Sequence, residues 1–131
     1  MTKFSFEELK AYKMGRSLVK EVYQIQSSFP KEEVFGLGSQ IRRAAVSITA
    51  NLAEGSGRMS LKEKQQYVVV AYGSLTELFS EILTASDLGY ITEEKVDELR
   101  PQFIDMSKML SGMRQSLQKR MDSAVEAASA H

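Results

Sequence analysis

The residues best suited to chemistry are concentrated between Gln40 and Lys64. Gln40, Ala44, Ser47, Asn51 and Glu54 recur at steps of three and four, so a helix aligns them along one line. That line borders an apolar stripe, and polar groups at the edge of a core need hydrogen-bond partners. A catalytic reading of Ser47, Asn51 and Glu54 requires a base. The chain has no cysteine, and its one histidine, His131, is the last residue after an alanine-rich tail. Glu54 is then the only base at hand, and no other residue supports that role. Arg42, Arg43, Ser47, Asn51 and Glu54 are therefore read as intersubunit contacts or polar packing between helices.

A second set is basic. Lys10, Lys13, Arg16 and Lys20 share one side of a helix, while Arg58, Lys62 and Lys64 surround the start of another. Such residues can contact phosphates, with an affinity that falls steeply with salt. Without interleaved aromatic residues they would read backbone or shape rather than bases. The bland alternative is a solvated helix face, which Glu7, Glu8 and Glu21 dilute.

Two further patterns resolve into structure. Gly55-Ser56-Gly57-Arg58 lacks the spacing and the lysine of a phosphate loop, and no strand precedes it. A helix stop, a linker and a new helix start account for it. Glu54, Glu77 and Glu81 suggest a dimetal bundle, but the usual Glu-x-x-His ligands need an internal histidine. Neither a metal nor a cofactor is expected.

Four amphipathic helices must position these groups. Ser5 and Glu8 read as a capping box ahead of Ala11, Met14, Leu18, Val22, Ile25 and Phe29, with a stop before Pro30. The second helix opens near Glu32 or Glu33, unless Gly36 and Gly38 break its first turns, carries Leu37, Ile41, Ala45, Ile48 and Leu52, and ends on Gly55 as a left-handed cap. Ser60 and Glu63 box the third, whose stripe runs from Val68 to Ala85 before Gly89. Thr92 caps the fourth, in which Val96, Leu99, Phe103, Met106, Leu110, Met113 and Leu117 alternate by three and four. Pro101 falls inside that pattern and predicts a kink. The pattern predicts an all-α, up-and-down antiparallel four-helix bundle over residues 1–122, with residues 123–131 as a frayed tail.

A chain of 131 residues with 43% hydrophobic and 26% charged composition suits one soluble domain. The longest apolar run, Val68 to Tyr72, is too short for a membrane span, and the N-terminus has no secretory pattern. A cytoplasmic location is expected. Formal net charge is zero, yet residues 1–66 hold 11 Lys+Arg against 7 Asp+Glu, and residues 67–131 hold 6 against 10. Either antiparallel packing neutralises that asymmetry, or it marks a functional surface.

The segment SFPKEEVFGLGSQIRRAAVSITANLAEGSGR, with GSLTEL at Gly73 to Leu78 and LGYI at Leu88 to Ile91, resembles the 23S rRNA-intervening-sequence protein family over roughly residues 6–120. Thr49 stands where members often carry proline, and Pro101 is not a general feature. The resemblance implies a small all-α bundle and, for several members, a homopentameric ring. The family name records a gene location rather than an activity. A related branch assists the reverse transcriptase of diversity-generating retroelements, and those relatives are strongly basic, unlike this chain at pI about 6.6. The expected role is a non-enzymatic homo-oligomer, a pentameric ring serving as an interaction or scaffold protein. The alternative is a nucleic-acid-binding accessory protein that uses the basic residues of the first two helices.

Overall fold

The computed structural model describes residues 2–130, so His131 lies outside the described residues. Four helices follow in order: α1 Lys10–Gln26, α2 Leu37–Ser56, α3 Leu61–Asp87 and α4 Glu93–Ser129. Each packs on its neighbours in sequence and α4 returns to α1, while the backbones of the two diagonal pairs stay further apart among the described residues. Short turns between consecutive helices make them antiparallel, and the result is an up-and-down four-helix bundle.

The predicted stripes fill the core. Val22, Ile41, Ile48, Leu75, Leu78, Ile82, Leu99, Met106 and Leu110 are essentially inaccessible. Each side chain of that size contributes roughly 1.5–3 kcal/mol on burial. α2 is slim because Ala44 and Ala45 are buried beside these larger residues.

Local signals set most helix ends. The Ser60 hydroxyl accepts from Glu63 N at 3.1 Å, the predicted cap, but Glu63 Oε1 accepts from that same hydroxyl at 3.2 Å rather than from the Ser60 backbone, so the reciprocal half of the box is replaced. Thr92 Oγ1 accepts from Lys95 N at 3.1 Å. At the end of α3, Gly89 adopts φ +80°, and Tyr90 N donates to Ala85 O at 2.9 Å. That closure needs a left-handed residue, which glycine supplies without a Cβ clash. Pro101 lies within α4 without ending it.

Several boundaries differ from the sequence reading, beginning with α1, which ends at Gln26 and leaves Phe29 in the turn that follows. Ser5 and Glu8 form no box: residues 5–8 make a 3-10 turn, with Phe4 N donating to Glu7 Oε2 at 2.8 Å. Glu8 instead pairs with Lys3 and Lys13, which lower its carboxyl below the ordinary value, the hydrogen bond from Lys13 acting most. α2 opens at Leu37, after a 3-10 turn over Lys31–Glu33, because Gly36 precedes it with φ −105° and ψ −118°. Gly55 is not a cap. It lies inside α2, and a Cβ there would stand 2.6 Å from Tyr67 Cβ on α3. The glycine is needed for close helix approach; the helix ends at Ser56 with a right-handed Gly57 behind it. At the other terminus α4 stays helical to Ser129, and every residue from Asp122 to Ala130 is exposed.

Candidate functional site: the α2–α3 seam

The polar line of α2 faces α3. Ser47 Oγ and Ser74 Oγ lie 2.8 Å apart, and Ser74 is buried. Asn51 Nδ2 donates to Ser47 O at 2.7 Å and to Ser47 Oγ at 3.0 Å. With that oxygen accepting from Asn51, the Ser47 proton is free to donate to Ser74. These groups satisfy one another across the seam, as buried polar groups must.

Glu54 belongs to a different cluster at the α2–α3 turn. Arg58 Nη2 donates to Glu54 Oε1 at 2.8 Å and to the Tyr67 hydroxyl at 2.7 Å, and its guanidinium stands 5.0 Å from the centre of the Tyr67 ring. The hydrogen bond to Glu54 is the main cause that raises the Arg58 pKa above its ordinary value. Arg58 thus ties the end of α2 to α3. Lys64 turns inward and donates to Ser56 O at 2.9 Å, whereas Lys62 is exposed. The three basic residues of this turn therefore do not form one patch.

The adjacent arginines divide their roles. Arg42 is committed within the chain: Nη1 donates to Gln26 Oε1 and Nη2 donates to Val34 O at 2.9 Å, pinning the α1–α2 connection. Arg43 is exposed and makes no hydrogen bond or ion pair among the described residues. Nearby, Glu33 accepts from Leu37 N at 3.1 Å through Oε1 and from the Tyr90 hydroxyl at 2.9 Å through Oε2. That hydrogen bond is the main cause raising the Tyr90 pKa. One carboxylate joins the α1–α2 and α3–α4 connections.

On α1, Lys13, Arg16 and Lys20 line a shallow depression with Ser17, while Lys10 is exposed outside it. Lys13 keeps its 3.3 Å pair with Glu8.

Two features of the seam escaped the sequence reading. Glu81 is only 9% exposed, and its Oε1 has no hydrogen-bond partner among the described residues. Burial pushes the carboxyl up to about 7, and the charge of Glu77 adds to the shift. Because Ser47 faces Ser74 and Gly55 faces Tyr67, the same antiparallel register carries Glu81 to the level of Gln40. The signal was present in the spacing: Ser74, Leu78, Glu81 and Ala85 form one line, so the carboxylate shares a face with core residues.

The other feature is the outside of α3. Val69, Val70, Tyr72 and Leu83 are 39–50% exposed there, although the inner side of the helix already fills the core. α3 is consequently long and apolar enough to cross a membrane by composition, with mean hydropathy 1.3 over an 18-residue window that is 44% buried. The same outer side carries exposed Gln66, Thr76, Glu77, Ser80 and Thr84, so the apolar residues there are interspersed with polar ones.

No curated protein matches this sequence. The sequence pattern of the 23S rRNA-intervening sequence proteins matches residues 7–112, a span that includes Glu33, Arg42, the Ser47–Ser74 contact and Tyr90. Several of the motifs behind the resemblance therefore serve to join loops and helices. The chain belongs to the 23S rRNA-intervening sequence protein family.

Proposed function

We propose that the chain is a non-enzymatic interaction protein of the cytoplasm that assembles with copies of itself into a closed ring of five. The observation carrying this reading is the exposure of Val69, Val70 and Tyr72 within one turn of α3, with Leu83 three turns further on and Thr76, Glu77 and Ser80 exposed between them. Large apolar side chains exposed on a helix whose inner side already fills the core support an association face there. A ring needs two unlike surfaces that meet head to tail. The charge asymmetry supports such a contact: the half containing α1 and α2 carries a net +4 and the remainder a net −4. In this arrangement the α1–α2 side of one copy, with Arg43 unpaired, covers α3 of the next. Complementary fields of this sort set register more than affinity. The number five comes from the family resemblance. A scaffold role is supported by Ser47, Asn51 and Glu54, whose hydrogen bonds go to neighbouring side chains and backbone.

Light scattering coupled to size exclusion tests the ring. The expected mass is about five times the 14.7 kDa chain at low and high salt. Val70→Glu and Arg43→Glu should each reduce it. A wild-type mass of one chain refutes the ring; an unchanged mass in both variants removes this face from the contact.

A second reading follows from the depression lined by Lys13, Arg16 and Lys20. In it α1 contacts the phosphate backbone of a nucleic acid. The chain has five tyrosines and no tryptophan, so co-purified nucleic acid would dominate absorbance at 260 nm. Loss of that absorbance in high salt supports phosphate contact; its absence at low salt counts against this reading.

A further inference from the structure

At the end of the bundle that carries the α2–α3 turn, α2, α3, α4 and the segment before α1 surround an open cavity of about 510 Å³. That volume lies within the range of roughly 300–1,000 Å³ typical of small-molecule sites, and the space between bundle helices is one of their usual locations. Its walls include Leu9, Leu52, Val68 and Leu117, one residue from each helix or its approach. Gly112 also lines it, and a Cβ there would meet nothing within 4 Å. The missing side chain on α4 leaves part of the space.

Two cations edge the cavity at this end, Lys64 half-buried and Arg120 exposed. Lys64 continues the interior line of α3, in step with Leu61, Val68 and Ala71. Arg120 follows Met113 and Leu117 by helical spacing but lies past the last buried residue of α4, at the cavity's exposed rim. Both line the cavity, and no lining residue is acidic. This is a local excess of positive charge in a chain with 17 basic and 17 acidic residues. Lys64 gives a hydrogen bond to Ser56 O, and Arg120 has no hydrogen bond or ion pair among the described residues. Apolar walls ending in two cations fit a ligand with an apolar body and one anionic head.

We propose that this cavity binds a small amphipathic anion, with its chain against Leu52, Val68 and Leu117 and its carboxylate or phosphate head held by Lys64 and Arg120. The inference is independent of the ring, since every group involved comes from one chain. Isothermal titration of the full chain tests it with decanoate, decyl phosphate and decanol as probes. Either anion should saturate one site per chain, and the tighter of the two identifies the head group. Decanol should bind at least about tenfold more weakly, as expected when a charge-assisted hydrogen bond is lost. Arg120→Gln should weaken the anions by about tenfold and leave decanol unchanged. Gly112→Leu, which fills open space, should abolish binding of all three. Failure of both anions to saturate overturns the proposal. So does decanol binding as tightly as the anions, or Gly112→Leu leaving the affinity unchanged.

Discussion

Replacing Glu81 by glutamine preserves the shape of the side chain and removes its charge. The carboxyl titrates at about 7 in the folded chain, against an ordinary value of 4.5. Between these values the folded state retains a proton that the unfolded state has released. Stability therefore falls as pH rises through that window and levels off above it. At about 1.4 kcal/mol per pKa unit, the ionised carboxylate destabilises the native chain by about 3 kcal/mol above the window. Glu81→Gln should then be more stable than the wild type by about 3 kcal/mol near pH 8 and by about 1 kcal/mol near pH 5. Urea unfolding followed by circular dichroism, at one protein concentration for both chains, measures the two differences. All other titrating groups are shared, so the change with pH reports position 81 together with its coupling to Glu77. An equal gain at both pH values would refute the reasoning. A loss of stability near pH 8 would mean that the ionised form has found a cation, and a neighbouring copy would be its source.

Packing around the glycines gives an opposed pair of outcomes. Gly55→Ala should lower stability by about 1–2 kcal/mol, because overpacking against Tyr67 outweighs the helix-propensity gain; thermal unfolding reads this directly. Gly112→Ala, facing open space, should raise it by about 0.5–1 kcal/mol in the same assay. The adjacent arginines should also separate. Arg42→Ala loses its bonds to Gln26 and Val34 and should cost about 1–2 kcal/mol in urea unfolding, whereas Arg43→Ala should stay within about 0.5 kcal/mol under conditions where the chain is monomeric.

The bundle was legible because its instructions are local. Three- and four-residue spacing marks each inner face, and Ser60, Thr92 and Gly89 act within a few residues of the ends they set. Errors arose where a distant partner decides. Gly55 has the sequence context of a helix stop, and only the approach of Tyr67, twelve residues later, explains it. Ser5 and Glu8 have the right spacing for a box, but a 3-10 turn and the pull of Lys3 and Lys13 on Glu8 take precedence. The site was less legible still. Arg42 and Arg43 look equivalent in sequence, yet a helix sends adjacent residues about 100° apart, so one ties a loop and the other meets solvent. Glu81 stands in the sequence as one carboxylate among three, and its spacing with Ser74, Leu78 and Ala85 marks a buried position only once α2 covers that side of α3.

The length of α4 sets up a gradient along the helix. Leu117 is its last buried residue, but the helix continues over residues 118–129, about 18 Å further at 1.5 Å per residue. All of those residues except Met121 are exposed, so alanine-rich propensity and the support of the preceding turns maintain the helix there. Local opening should therefore cost progressively less from Leu117 outward. Amide hydrogens spaced along this one helix would exchange at graded rates, making α4 a ruler for the distance over which a packed core lends order to a chain beyond its own edge.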